Sequence, residues 1–209
     1  IEAVSSIYEP GSTFKLIAAS AGLELGTVTD ASRYTCNGTI NVNGTRLHCT
    51  GVHGTQDINV AVGHSCNPAL AKVALDMGGK GMYQYAKLFG LTSRTGVDLP
   101  NEESSMVKDV NKLTGVDLAT MGYGQGIAVT PIQLITAINA MGNDGVLMKP
   151  KVVKRITDSN GKTVKEFEDV EVRQVLTKET ADRMCEIMEY YVEEAGGTKA
   201  YVSGYRVGG

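Results

Sequence analysis

The sequence predicts a single α+β domain that is rich in helix and contains little sheet. Segments 67–77 and 130–142 each open with a residue that can cap a helix, followed by Pro, and each ends at Gly. Segments 151–157 and 162–168 flank Asn160-Gly161, a pair typical of hairpin turns. A chain of 209 residues with 42% hydrophobic residues is long enough for one domain with a sizeable core.

The other elements follow from apolar runs that end at Gly, such as the run from Ser12 that ends at Gly26 and a later run that ends at Gly196-Gly197. In chain order the sequence predicts helix 12–25, a loop with brief extended pieces at 27–62, helices 67–77 and 80–89, loop 91–110, helix 130–142, the hairpin 151–157 and 162–168, helix 178–194, and the beginning of a strand at 200–207.

Charge and hydropathy exclude several classes of function. The net charge is -3 and no basic block occurs, which argues against nucleic acid as the main partner. Gly and polar residues interrupt the apolar stretches, so no transmembrane helix is predicted, and no signal peptide is visible. Because the chain opens with Ile1 and closes with Val207-Gly208-Gly209 inside the predicted last strand, we expect both ends to be cut.

Ser12-Thr13-Phe14-Lys15 is the first segment that points to chemistry. Ser12 and Lys15 would lie one turn apart on a helix, and an unprotonated lysine can activate a serine hydroxyl as a nucleophile. Free backbone N–H groups at the helix start could stabilise an oxyanion. The pattern S-x-x-K also occurs at Ser105 and Ser159, but only Ser12 follows a Pro-Gly turn and opens an apolar helix. The sequence therefore favours Ser12 over the other two.

Ser65-Cys66-Asn67 is the second such segment. The hydroxyl of Ser65 could relay a proton between a lysine and a leaving group, and the Asn67 amide could hold a substrate backbone. The structural alternative is that Asn67 simply caps the helix that Pro68 opens. The two roles are compatible, because a residue fixed at a helix N-terminus is well placed for chemistry.

Together these segments resemble the transpeptidase domain of class B penicillin-binding proteins, the division and sporulation type. The resemblance covers nearly the whole chain in the expected order. The motifs that carry it are Tyr8–Lys15, Ser65–Asn67, Phe89–Leu91, Thr95–Pro100 with Glu102, Gly122–Gly126, Thr130–Leu134 and Gly204–Gly209. The cysteine placement and His53-Gly54 resemble the sporulation-type members.

The resemblance implies the penicillin-binding protein and serine β-lactamase-like transpeptidase fold, and an enzyme that cross-links peptidoglycan without a cofactor. Ser12 would attack the D-Ala-D-Ala carbonyl, Lys15 would be its base, Ser65 would pass a proton to the leaving group, and Asn67 would hold the substrate. Stem peptides and β-lactams would be ligands, and cell-wall synthesis proteins would be partners. The parent protein would be membrane-anchored at the extracytoplasmic face of the bacterial cell membrane, while the chain itself would be soluble.

One family motif is absent. The family has a Lys-Thr-Gly strand that lines the active site, and this sequence contains none. Arg94-Thr95-Gly96 comes too early to replace it. By the resemblance, we expect residues 1–209 to be a partial domain that lacks the N-terminal strands and the Lys-Thr-Gly strand directly after Gly209. We expect such a fragment alone to be inactive or nearly so, because part of the oxyanion hole is missing.

Cysteine and histidine use leaves alternatives open. The four cysteines could be buried inert thiols, or Cys49 could pair with Cys66, or less favourably with Cys36, as a redox control. His48, His53 and His64 lie near them in sequence. The spacings fit no zinc pattern, so the sequence predicts no metal site.

Two other functional classes remain as alternatives. A β-lactamase or β-lactam sensor of class D would share Ser-Thr-Phe-Lys, but those enzymes have S-x-V where this chain has Ser65-Cys66-Asn67. No glutamate is identifiable as a deacylating base. A non-catalytic scaffold is disfavoured by the presence of Ser12, Lys15 and Ser65 together.

Overall fold

The computed structural model describes residues 2–209, and these contain seven α-helices and ten short strands. The helices are α1 Glu2–Ser5, α2 Lys15–Glu24, α3 Ile58–Gly63, α4 Asn67–Leu88, α5 Gly115–Met121, α6 Pro131–Met141 and α7 Lys178–Glu194. Short 3-10 helices lie at Gly11–Phe14, Val110–Lys112 and Thr198–Ala200. No helix within residues 2–209 combines the length and apolar character needed to cross a membrane.

The strands pair only in twos, so the part of the chain that the structure describes contains no larger sheet. They are β1 Tyr34–Cys36, β2 Thr39–Val42, β3 Thr45–His48, β4 Gly54–Gln56, β5 Met106–Val107, β6 Ile127–Ala128, β7 Val146–Met148, β8 Arg155–Thr157, β9 Thr163–Glu166 and β10 Glu171–Gln174. All five pairs are antiparallel: β1 with β4, β2 with β3, β5 with β6, β7 with β10 and β8 with β9. The prediction of a helix-rich fold with little sheet is confirmed.

Capping residues set the helix starts that the sequence predicts. The Thr130 side chain accepts a hydrogen bond from the Gln133 backbone N–H, and the Thr130 backbone N–H donates one to Gln133 Oε1, which forms a capping box before α6. The prediction was wrong at α4, where Cys66 is the N-cap and Asn67 is already helical. Gly78 has φ of 75° and divides α4 into two segments. This break agrees with the prediction of two separate helices at 67–77 and 80–89.

Two further differences have physical causes. Residues 200–207 form turns and not a strand, because no neighbouring strand in residues 2–209 pairs with them. Helix α3 falls within 27–62, where a composition rich in Gly, Asn and Thr predicted a loop, and α5 falls after the predicted loop 91–110, in a segment for which no element was predicted. A side-chain cap stabilises the start of each helix. The Asp57 carboxylate accepts a hydrogen bond from the Val60 N–H at α3, and the Thr114 hydroxyl accepts one from the Asp117 N–H at α5.

Helix α2 lies at the centre of the core and positions the site. Every residue from Lys15 to Gly22 is buried, and the helix packs against α4, α6 and α7. Phe14, Ile17, Leu70 and Met184 are among the fully buried side chains around it. A helix buried on all sides is held in place by packing rather than by its own helix propensity. The residues at its N-terminus are therefore presented on a rigid support.

Candidate active site

Ser12 and Lys15 lie at the start of α2, where the chain leaves the surface and enters the core. Ser12 belongs to the 3-10 turn Gly11–Phe14 and is exposed. Lys15 begins the α-helix and is only 2% exposed. One turn of helix thus holds an accessible hydroxyl above a buried amine.

Ser12, Lys15 and Ser65 form a compact triangle of polar atoms. The Lys15 Nζ atom lies 3.3 Å from Ser12 Oγ and 2.7 Å from Ser65 Oγ. Ser65 Oγ donates a hydrogen bond of 2.9 Å to Ser12 Oγ. Lys15 Nζ also donates to the Ser65 carbonyl oxygen at 2.5 Å. The structure therefore brings together three of the four residues that the sequence singled out, although Ser65 is 53 positions from Ser12.

Burial changes the proton affinity of the Lys15 amine. Desolvation lowers the pKa of Lys15 from 10.5 to about 8, and negative charge on Cys49 and Cys66 would act in the opposite direction. At neutral pH roughly a tenth of such amines are unprotonated, compared with far less than one in a thousand for an exposed lysine. Lys15 can therefore accept a proton from Ser12 at a physiological pH.

Ser65 occupies a strained turn between α3 and α4. Its φ is 51°, a conformation that residues other than Gly rarely adopt. The Ser65 N–H donates to the Val62 carbonyl at 2.8 Å, and the Cys66 N–H donates to the Ala61 carbonyl at 2.9 Å. The surrounding structure thus holds the turn in a conformation that places the Ser65 hydroxyl between Lys15 and Ser12.

Asn67 lies next to this triangle at the first residue of α4 and is half-buried. Its Nδ2 atom donates a hydrogen bond of 3.0 Å to the His48 carbonyl oxygen at the end of β3. The capping role considered as an alternative is wrong, because Cys66 is the N-cap. The amide oxygen of Asn67 is not engaged in that hydrogen bond and can accept one from a substrate N–H.

The Gly122–Gly126 segment supports the turn that carries Ser12. The Gly11 N–H donates to the Gly124 carbonyl at 3.0 Å, and the Gly126 N–H donates to Glu9 Oε1 at 2.8 Å. A Cβ atom on Gly124 would lie 2.1 Å from the Gly11 carbonyl oxygen, so only Gly fits there. Glu9 lies within the Tyr8–Lys15 motif and directly precedes the Pro10-Gly11 turn, but sequence reasoning assigned it no role.

A groove of about 140 Å³ opens above the nucleophile. It is lined by Ser12, Thr13, Leu16, Val62, Ser65, Tyr191 and Gly209. Its surface is mainly apolar and includes the hydroxyl groups of Ser12 and Ser65, which is the character of a small-molecule site with a few polar groups. A larger depression of about 610 Å³ between α2 and α7 is lined by neither Ser12 nor Ser65, so it is separate from the candidate active site.

A cluster of thiols and one imidazole lies behind the triangle. The donor atoms of Cys36, Cys49, His53 and Cys66 all lie within 4.8 Å of one another. The cysteines are free thiols, and the Sγ atoms of Cys49 and Cys66 are 4.0 Å apart. Spacing in the sequence gave no sign of this group, because its members come from three separate parts of the chain: the end of β1, the connection between β3 and β4, and the start of α4.

The environment sets the protonation of this cluster. Burial acts against the Cys49 thiolate, but hydrogen bonds to Gly51 and Asn67 outweigh it and hold the pKa of Cys49 below its usual value. Burial raises the pKa of Cys66 to about 12. Burial, with the nearby charges of His64 and Lys15, lowers the pKa of His53 below its usual value.

A protein-family model described as "Penicillin binding protein transpeptidase domain" matches residues 1–209 of this chain. The chain belongs to this family. The motif order on which the sequence resemblance was based is thus matched over the full length. The prediction of a class B type is also supported by the relatives described next.

Similar proteins include sporulation and cell-wall proteins. The chain is 38% identical to Stage V sporulation protein D of Bacillus subtilis, over 99% of this chain and 32% of that protein. It is 30% identical to penicillin-binding protein PbpB of Mycobacterium tuberculosis, over 99% of this chain and 32% of that one. The chain therefore spans about a third of the length of these relatives.

Solved structures share the fold. A peptidoglycan glycosyltransferase from Burkholderia ambifaria matches with a TM-score of 0.88 at 27% identity, over 99% of this chain and 63% of that one. Penicillin-binding protein 3 from Mycobacterium tuberculosis with ampicillin matches with a TM-score of 0.83 at 29% identity, over 99% of this chain and 45% of that one. The predicted α+β fold of this family, here mostly its helical part, is confirmed.

Proposed function

We propose that the chain forms the acylation centre of a peptidoglycan D,D-transpeptidase that cross-links stem peptides. The observation that carries this proposal is the triangle of Ser12, Lys15 and Ser65, in which a buried amine with a pKa of about 8 contacts both hydroxyls. A relative 32% identical over 213 residues is named a probable peptidoglycan D,D-transpeptidase. The chemistry of the triangle fits that reaction class.

In the first step Ser12 Oγ attacks the carbonyl carbon of the D-Ala-D-Ala peptide bond. Its proton passes to Lys15 Nζ, which lies 3.3 Å away. The C–N bond then breaks, and the amine of the terminal D-Ala takes up a proton that Ser65 Oγ relays from Lys15 Nζ. Ser65 Oγ lies 2.7 Å from Lys15 Nζ and 2.9 Å from Ser12 Oγ, so it is placed between the base and the atom at which the leaving group departs.

In the second step an amine from a neighbouring stem peptide attacks the acyl group on Ser12. That amine loses its proton through the same relay, and Ser12 Oγ recovers one as the ester bond breaks. Asn67 would accept a hydrogen bond from the substrate backbone through its amide oxygen. The net result is one peptide bond broken and one formed, which requires neither a metal nor a redox cofactor at this centre.

We also propose that β-lactams acylate Ser12. Penicillin-binding protein 3 from Mycobacterium tuberculosis has been solved with aztreonam and with ampicillin, and both structures are similar to this one. A β-lactam presents a strained amide carbonyl to the same nucleophile. The groove above Ser12 gives such a ligand access to the hydroxyl.

The remaining parts of the proposal concern a longer protein. We propose that a Lys-Thr-Gly strand directly follows Gly209, which already lines the Ser12 groove. N-terminal strands would complete the sheet. The protein would be anchored at the extracytoplasmic face of the bacterial cell membrane and would act with other cell-wall synthesis proteins in division or sporulation. Its likeness to Stage V sporulation protein D favours sporulation.

A fluorescent penicillin tests the acylation proposal. In a longer protein that includes the Lys-Thr-Gly strand, we expect covalent labelling that is abolished by Ser12→Ala and retained by Ser159→Ala. Ser159 is a matched control because it also belongs to an S-x-x-K pattern, in the β8–β9 hairpin. Labelling that persists in Ser12→Ala would overturn the proposal. Rapid turnover of nitrocefin would indicate a β-lactamase instead.

A further inference from the structure

The cluster of Cys36, Cys49, His53 and Cys66 has the composition of a closed zinc site. Three thiols and one imidazole supply four donor atoms, and all four lie within 4.8 Å of one another. We propose that these residues bind one zinc ion directly behind the candidate active site. The inference goes beyond the proposed transpeptidase activity, and zinc binding itself does not depend on that activity.

The distances between donor atoms match a tetrahedral ion. With Zn–S bonds of about 2.3 Å and a Zn–N bond of about 2.0–2.1 Å, the tetrahedral edges are roughly 3.8 Å for S···S and 3.6 Å for S···N. The structure places Cys49 Sγ 4.0 Å from Cys66 Sγ and 3.6 Å from His53 Nδ1. Both distances are close to the edges expected around a shared tetrahedral ion.

The type of donor favours zinc over other common metals. Thiolate sulfur is a soft ligand, whereas Mg²⁺ and Ca²⁺ prefer oxygen. Three cysteines and one histidine with no carboxylate form the Cys₃His set of structural zinc sites, which leaves no coordination position open for catalysis. The ion would therefore organise the fold around it rather than take part in acyl transfer.

Backbone hydrogen bonds already hold the four segments in place. The His53 N–H donates to the Cys36 carbonyl at 3.2 Å, and the Cys49 N–H donates to the Gly38 carbonyl at 2.9 Å. Asn67 Nδ2 ties the residue after Cys66 to His48, the residue before Cys49. Such a preformed arrangement reduces the conformational entropy that is lost when the ion binds.

The site has an entry path and a second layer of contacts. Cys36 and Cys66 are fully buried, while Cys49 and His53 are partly exposed and face the solvent side. The His53 ring stacks on His64 with centroids 5.0 Å apart. His64 Nδ1 in turn lies 3.2 Å from Gln56 Oε1. The stacking contact with this anchored ring restricts the orientation of the His53 ring.

Zinc at this position would act on Ser65 through its neighbour. Cys66 follows Ser65 directly, and Ser65 is held at φ of 51°. An ion bound to Cys66, Cys49 and Cys36 would anchor that turn to the ends of β1 and β3. Zinc would thus help to position the Ser65 hydroxyl. Unlike zinc binding itself, this positioning role rests on the proposed function.

Metal analysis of the purified protein tests the binding. After purification under reducing conditions, we expect about one zinc per chain by elemental analysis. Cys36→Ser, Cys66→Ser and His53→Ala should each lose most of it. Cys185→Ser and His48→Ala are matched controls that should retain it, because Cys185 lies on α7 and the His48 side chain is exposed.

A cobalt titration gives a readout that needs no variant. Co²⁺ bound by three thiolates and one imidazole in a tetrahedral site should show thiolate-to-cobalt charge transfer and intense visible absorption, and zinc should displace it. A fully reduced wild-type protein without zinc and without this spectrum would overturn the proposal. So would a Cys49–Cys66 disulfide that peptide mass spectrometry finds in all of the protein, because oxidation removes two ligands. Neither readout involves penicillin, so failure here is distinct from failure of the proposed acylation.

Discussion

The Ser65 hydroxyl donates a hydrogen bond of 2.9 Å to the Ser12 hydroxyl, which links two motifs that are 53 residues apart. Both hydroxyls also lie within reach of Lys15 Nζ. The proton of the nucleophile therefore has two routes, one directly to the amine and one through Ser65. This relationship is the basis of the predictions on proton transfer.

Replacing Lys15 tests the general base. Lys15→Met keeps an unbranched side chain in the buried space but removes the amine, so we expect β-lactam acylation of the longer protein to slow by about 10²–10⁴-fold. Lys15→Arg should be similarly slow, since a guanidinium does not deprotonate at these pH values. The rate constant for labelling by fluorescent penicillin measures the effect. An arginine variant as fast as wild type would show that positive charge, rather than a base, is what matters.

The pH profile of acylation follows from the pKa of Lys15. Burial lowers this pKa to about 8, so the unprotonated fraction rises with pH up to that value and then levels off. We expect the acylation rate to increase about tenfold per pH unit below the pKa and to plateau above it. Rates measured with a neutral-tailed β-lactam would check this. A flat profile from about pH 6 to pH 9 would contradict the role of Lys15 as base.

Ser65 combines a relay hydroxyl with backbone strain. Ser65→Ala and Ser65→Gly both remove the hydroxyl, so both should slow acylation. Gly is free of the steric cost at φ of 51°, and the glycine variant should be more stable than the alanine variant by about 1 kcal/mol. Denaturant unfolding compares the two. Equal or reversed stabilities would show that the turn relaxes and that no strain is held there.

The sequence predicted helices well where a cap or a Gly marks their ends. Helix α7 was predicted at 178–194 and occurs at Lys178–Glu194, with Thr177 as its cap. The strand predicted at 200–207 failed because an apolar alternation forms a strand only when a partner is available, and residues 2–209 provide none there.

Local sequence could identify only part of the candidate site. Ser12 and Lys15 share one helical turn, so their proximity follows from spacing alone. Ser65 was a candidate from its chemistry, but only the family resemblance linked it to Lys15, since tertiary packing brings the two together. The cysteine and histidine cluster was not predictable from either, because zinc patterns depend on short spacings. The pairing of β1 with β4 brings Cys36 to His53, a backbone hydrogen bond to Gly38 holds Cys49, and the packing of α4 on β1 adds Cys66.

Gly124 tests the support beneath the nucleophile. Its φ is 80°, and a Cβ atom would lie 2.1 Å from the Gly11 carbonyl oxygen, a backbone atom that cannot move without shifting Ser12. Gly124→Ala should destabilise the protein by about 2 kcal/mol or more and reduce penicillin labelling of the longer protein.

Gly44→Ala is the matched control for this change. Gly44 has φ of 85° but no atom within 4 Å of the added Cβ, so only the backbone cost of about 1 kcal/mol should appear. Thermal or denaturant unfolding measures both variants. If Gly124→Ala were no more destabilising than Gly44→Ala, the close approach to Gly11 would not constrain the turn.

Chelation tests the contribution of zinc to stability. A ligand that binds only the folded state at about a thousand times its dissociation constant adds about 4 kcal/mol. For a domain of this size that corresponds to a fall in Tm on the order of 10 °C when a strong chelator removes the ion under reducing conditions. Added zinc should restore the Tm. Cys66→Ser should have a lower Tm that does not change with the chelator, whereas the Tm of His48→Ala should fall as that of the wild type does. A chelator-insensitive Tm in zinc-loaded wild type would show that the ion does not hold these segments together.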